Sequence, residues 1–270
     1  MNSQQPVWRH EIKYLISPQQ AALLEARLKG TLQADSHAGS DGYDIRSIYF
    51  DDLQDSGLEE KEGGMFERAK YRIRLYNRDP SFIRFEKKQK QGRLSSKLSL
   101  PLREEQARDV LQGQYAFLAQ SGPLGEELYR LFRTQGLHPK VTVDYHRKAY
   151  VYPFSRVRIT LDSAVSASPA IALTEARLPF MPVLEGGGLV AEVKFDGQLP
   201  PALQALFRGL HLQQTAYSKY LLCRQALDPA FTYGNLIPHI GRSLTMYFII
   251  TCKTSTDNCC ITPTVAKNSG

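Results

Sequence analysis

Lys70, Arg72 and Arg74 stand two residues apart in KYRIRLY, and Arg84, Glu86 and Lys88 repeat that spacing in RFEKK. On an extended strand this spacing puts them on one side, with Tyr71, Ile73, Leu75, Ile83 and Phe85 on the other. Arg93 and Lys97 follow in one phase, opposite Leu94, Leu98 and Leu100. The pattern recurs at Arg9, Glu11 and Lys13, at Tyr145 and Arg147, at Arg156, Arg158, Thr160 and Asp162, and at Glu192 and Lys194. A solvated sheet face normally mixes charge signs, because like charges side by side repel by a few tenths of a kcal/mol or more. A nearly all-cationic face is tolerated when an anion is its neighbour. Guanidinium forks match phosphate oxygens, and lysines supply point charge, so the chemistry implied is the holding of a phosphate chain.

The elements that must position these residues are legible from period and punctuation. WRHEIKYLI (8–16) and DIRSIYFDD (44–52) read as strands. Between them Ser17-Pro18 starts a helix that buries Ala21, Leu24 and Leu28 and stops at Gly30. DLQDSGLEEKEGG is a connector or short helix. Three strands fill 66–100, joined at Asn77–Pro80 and at Gln91-Gly92 by hairpin-like turns. Two helices are expected over 102–136, strands over 140–153, 155–162 and 188–197, a weaker strand near 172–180, and helix over 201–227. The apolar phases suit packing against these helices. If the sheet closes, the helices lie outside and the charged phase faces inward. The fold class expected is α+β, a closed antiparallel β-barrel of about eight strands with helices packed outside. It occupies 1–228, followed by a tail over 229–270 without period or assigned role.

The totals agree with a partner of opposite charge. In 270 residues, 34 Lys and Arg against 27 Asp and Glu leave a net charge of +7. Cys223, Cys252, Cys259 and Cys260 form no CxxC pair, so neither a zinc site nor a disulfide framework is expected. MNSQQPVWRHEIKYLI has no apolar core for a signal peptide, and the run near LTMYFII is too short to span a bilayer. A reduced, cytoplasmic protein is the expectation. A basic sheet that binds single-stranded nucleic acid interleaves aromatics with its cations. Here Tyr71, Ile73 and Phe85 lie opposite the charges, so no nucleic-acid partner is expected.

RHEIKY (9–14), SIYFD (47–51), KYRIRLY (70–76), FEKK (85–88), SSKLSL (95–100), DYHRKAY (144–150), VRITLD (157–162), AEVKF (191–195) and SKYL (218–221) occur in an informative order. Together they resemble the VTC domain, the polyphosphate polymerase branch of the CYTH or triphosphate tunnel metalloenzyme superfamily. The resemblance implies a β tunnel that binds polyphosphate with Mn²⁺ or Mg²⁺ and transfers the γ-phosphate of ATP to a growing chain. It makes Arg72, Arg74, Lys88, Arg147 and Arg158 the expected catalytic contacts. Lys13, Lys97, Tyr145 and Lys219 become phosphate-binding positions, joined on phase by Lys70. Glu192 matches the metal-binding glutamate, with Glu11 a second candidate. Arg9 replaces the first glutamate of the superfamily's ExExK signature, which points to fewer metals than a two-metal hydrolase. Ala216 stands where some polymerase members carry a further basic residue. A triphosphatase on the same scaffold and a non-catalytic polyphosphate or inositol-phosphate module are the alternatives. Two charged residues are expected to have structural roles: Glu86 pairs with neighbouring arginines, and Lys87, in the opposite phase, is solvated or snorkels.

Overall fold

A computed structural model describes residues 7–36, 39 and 41–228. The expected tail at 229–270, with three of the four cysteines, lies outside the described residues. Alternating RHEIKYLI forms β1 (Arg9–Ile16), and α1 (Pro18–Lys29) follows at once. Ser17 caps this helix reciprocally: Gln20 N–H donates to Ser17 Oγ at 3.2 Å, and Ser17 N–H donates to Gln20 Oε1 at 2.9 Å. Gly30 ends the helix with φ of −79°, without a left-handed turn. Next come β2 (Gln33–Ala34), β3 (Tyr43–Asp51), α2 (Ser56–Glu62), β4 (Glu67–Tyr76), β5 (Ile83–Gln91) and β6 (Leu94–Leu102). At the tight β5–β6 turn Gly92 has φ of +55°, and a side chain there would lie 2.7 Å from the Phe66 ring. Then follow α3 (Glu104–Leu111), a 3₁₀ turn (Ala116–Gln120), α4 (Gly122–Thr134), β7 (His138–Val151), β8 (Arg158–Ser168), β9 (Met181–Pro182), β10 (Leu189–Phe195), α5 (Pro201–Ala205) and α6 (Lys219–Leu227).

The strands pair antiparallel in the order β2-β7-β3-β4-β5-β6-β1-β10-β8-β9, and β7 also pairs with β8. That last pairing closes an eight-stranded barrel and leaves β2 and β9 as short additions. The apolar phase faces outward, as expected. Ile73, Leu75, Ile83 and Phe85 pack under Val110, Leu128 and Phe132 of α3 and α4. On the other side Ile159, Leu161, Ala191 and Val193 pack under Leu24 and Leu28 of α1. Each fully buried Leu, Ile or Phe contributes about 1.5–3 kcal/mol, so these two layers hold the wall closed. Among the described residues no helix is long and apolar enough to cross a membrane.

Four expectations are corrected. Residues 206–218 are not helical: Thr215 N–H donates to Lys13 C=O at 2.8 Å, and Gln214 bridges to Tyr14. Barrel shear is the cause, because β1 meets β6 only at Arg9 and His10 and leaves an edge to be covered. No strand forms over 172–180, where the chain covers Arg46 instead; Arg46 donates to Glu175 C=O at 2.7 Å and lies 5.5 Å from the Phe180 ring centroid. Arg156 precedes β8, with its side chain 70% exposed, and Arg93 sits in the β5–β6 turn, so neither faces inward. Lys87 is not solvated; its ammonium pairs with Glu127 of α4.

The packing of α1 carries a pH-dependent contact. Glu25 accepts from Lys148 Nζ at 2.9 Å, from Tyr150 OH at 3.0 Å and pairs with Lys29. Burial pushes its carboxyl up, but these donors outweigh burial and bring it from 4.5 down to about 2. A depressed carboxylate contributes stability above its unfolded value and loses it on acidification. Glu25→Gln should therefore melt at a lower temperature than the parent at neutral pH. In thermal scans that gap should close as pH falls from 4.5 towards 2; a gap constant with pH would refute the assignment.

Candidate functional site

The inward phase surrounds a cavity of about 430 Å³. Among the described residues thirteen cationic side chains line it, against two carboxylates. Glu86, Asp162 and Asp35 pair with those cations from behind the lining and still leave cations in excess. All twelve residues singled out by the sequence lie in this wall, although they come from β1, β4, β5, β6, β7, β8, β10 and the start of α6.

The cations are organised around buried carboxylates. Glu86 Oε2 accepts from Arg72 Nε at 2.8 Å and Nη2 at 2.7 Å, and Oε1 accepts from Lys97 at 2.7 Å. Arg74 lies 3.6 Å from the same carboxylate and donates to Tyr145 OH at 2.8 Å and Ser47 Oγ at 3.2 Å. Tyr49 OH accepts from Arg72 at 3.0 Å. Asp162 forms the second centre: Arg147 donates bidentately at 2.6 and 2.7 Å, and Lys219 donates at 2.5 Å. At the third, Glu11 accepts from Lys88 at 2.6 Å and lies 3.0 Å from Lys13. Arg158 donates to Tyr43 OH at 2.9 Å and pairs with Asp35 at 2.7 Å. Lys70 contacts Ser218 Oγ at 2.5 Å.

Burial alone would raise every one of these acids, yet the surrounding cations win. Burial pushes Glu86 up, but Arg72, Arg74 and Lys97 hold it well below the usual carboxylate range. Asp162 is similarly brought down, against its burial, to about 2 by Arg147 and Lys219. Burial and Glu192 push Glu11 up, and Lys88 and Lys13 overcome both. Lys88 goes the other way: burial, aided by Lys13, pushes it down to about 7 despite Glu11. Its side chain is 24% exposed, so the burial is incomplete.

The position of α6 depends on a phase change in β8. Before it, Arg158, Thr160 and Asp162 face inward. At Ala164, with φ of +50°, the register with β7 slips between Asp144 and His146, and Val165 and Ala167 face inward instead. These join Ile45, Val141 and Val143 in an apolar seat for Tyr220 and Cys223 of α6. Outside that seat, Tyr220 OH donates to Asp51 at 2.5 Å and accepts from Arg224 at 2.8 Å. The seated helix brings Ser218 and Lys219 to the cavity.

Several wall residues escaped sequence reasoning. Arg68 and Lys90 share the phase of Lys70 and Lys88, so the signal was present. Asp162 stood in the charged phase without an assigned role. Asp35 lies beside a two-residue strand, and nothing periodic in the sequence points to it.

The family model for the VTC domain matches residues 8–228. The chain belongs to the VTC domain family. Solved structures similar to this VTC domain include a proposed adenylate cyclase from Bacillus halodurans, at 19% identity and TM-score 0.47, covering 78% of this chain and 93% of that one. Another proposed adenylate cyclase, from Vibrio parahaemolyticus, has 14% identity and TM-score 0.47, covering 81% and 98%. The Mimivirus capping enzyme triphosphatase has 11% identity and TM-score 0.36, covering 75% and 88%. No curated protein matched the chain.

A divalent ion is expected of this VTC domain, and its donor set can be tested. No group of three or more His, Cys, Asp or Glu converges among the described residues. Glu192 is 4% exposed, and its Oε1 makes no hydrogen bond, although Lys194 Nζ lies 3.0 Å away. Glu11 lines the same cavity. Glu192 completed by phosphate oxygens and water suits Mg²⁺ or Mn²⁺, which take few protein ligands at phosphate sites. Both oxygens of Glu11 accept from Lys88, so Glu11 could join only by giving up that ammonium. The residues fit such an ion.

Proposed function

We propose that this VTC domain transfers the γ-phosphate of ATP to a polyphosphate chain inside its barrel, in the cytoplasm where ATP is available. The observation that carries this reading is the cationic surplus of the enclosed wall. Such an excess of buried charge costs several kcal/mol per unpaired ion and is best offset by a polyanion. Arg72, Arg74, Arg147 and Arg158 clamp non-bridging oxygens, and two of them, Arg72 and Arg147, already grip carboxylates. Lys13, Lys70, Lys88, Lys97 and Lys219 hold donor and acceptor ends, and Tyr145 orients Arg74.

Phosphoryl transfer spreads charge over the moving group's oxygens, so positioning and fixed positive charge lower the barrier. A terminal phosphate acceptor is already ionised at neutral pH and needs no base. Glu11, Glu86, Asp162 and Glu192 are all held below the usual carboxylate range, which makes them poor bases towards water. That supports phosphate over water as acceptor. Glu192 and Glu11 would hold Mn²⁺ or Mg²⁺, which supplies Lewis-acid neutralisation of phosphate oxygens when bound.

Incubation with ATP and Mn²⁺ or Mg²⁺, followed by resolution of the phosphate products, tests the proposal. Polyphosphate chains are expected. ADP and orthophosphate without chains would replace transfer by hydrolysis, and tight polyphosphate binding without turnover would reduce the protein to a binding module.

A further inference from the structure

The barrel cavity shares two lining residues with a second cavity, of about 330 Å³, on the outer side of the wall. These are Arg68 and Lys90, across from each other on β4 and β5. Trp8 lines this second cavity beside Glu67, Ala69, Lys87, Gln89 and Gln91, which stand in the outward phase of β4 and β5, while its neighbour Val7 lines the first. Trp8 is the single tryptophan of the chain and is 36% exposed. Among the described residues no ring or cation stacks on its indole, whereas Tyr49, Tyr115 and Phe195 all have ring partners.

We propose that Trp8 is a stacking platform for the base of a nucleoside triphosphate whose phosphates lie in the barrel. The inference rests on the phosphate-transfer function proposed above and adds a subsite to it. A triphosphate running along the cationic wall reaches Arg68 and Lys90 last, and they face its α-phosphate. The ribose then rounds the strand ends at Glu67 and Gln91, and the base meets the indole on the outer side. Every base has a π-face, so an aromatic platform favours nucleotide over bare triphosphate with little choice among bases. The Gln89 amide carries both donors and an acceptor for the base edge.

Because Trp8 is the only tryptophan, its fluorescence reports on this subsite alone. ATP titrated into the full chain should quench it, tripolyphosphate should leave it nearly unchanged, and excess tripolyphosphate should reverse the quenching by ATP. In calorimetry Trp8→Ala should weaken ATP by about tenfold and leave tripolyphosphate affinity intact, with Trp8→Phe recovering part of the loss. Identical fluorescence responses to the two ligands, or a Trp8→Ala effect that is equal for both, would overturn the platform. Failure of tripolyphosphate to bind the parent protein is a different result; it would overturn the proposed function itself.

Discussion

Arg72→Ala is expected to abolish both polyphosphate binding and phosphate transfer. Its guanidinium lies deep in the wall, fixed by Glu86 on one side and Tyr49 on the other. Truncation removes a charge-assisted donor, worth about 1.5–3 kcal/mol by itself. It also frees Glu86 to draw more strongly on Arg74 and Lys97, the two cations nearest to the gap. One deletion therefore lowers the positive field at three places. Together these losses should move polyphosphate affinity by about a hundredfold or more. Calorimetry with polyphosphate reads the result, and unchanged affinity would sink the reading of the cavity as a phosphate site.

Glu86→Gln should act in the opposite sense on stability and ligand. Glu86 is 1% exposed and is the shared countercharge of Arg72, Arg74 and Lys97. Removing one member of a buried ion cluster leaves uncompensated charge and costs about 3–5 kcal/mol. The variant should unfold at markedly lower urea concentration. Added tripolyphosphate should restore more stability to it than to the parent, because the anion replaces the missing countercharge. A variant as stable as the parent, or one that gains no more from tripolyphosphate, would contradict the account.

Much of this site was legible because one chemical fact is repeated along each strand. A wall with apolar packing outside and charge inside fixes side-chain phase, so Lys13, Arg72, Lys88, Arg147, Arg158 and Glu192 could be assigned inward one strand at a time. Period says nothing, however, about where shear leaves an edge open. Residues 206–218 looked like more helix, yet the bare edge of β1 takes Gln214 and Thr215 as a substitute partner. Nor does phase reveal partners from other elements: Lys87 looked solvated until α4 supplied Glu127. Asp35 reaches Arg158 from a stretch without repeating pattern.

The slip at Ala164 separates two environments within one strand. Arg158 to Asp162 meet charge, and Val165 and Ala167 meet the aromatic and thiol side chains of α6. The extent of the phosphate compartment along β8 is thus encoded by the address of a single residue and not by strand length. Moving that residue two places along the chain would lengthen or shorten the compartment by one side chain without altering the barrel's strand count. In this wall the slip acts as a ruler whose mark is set independently of the frame.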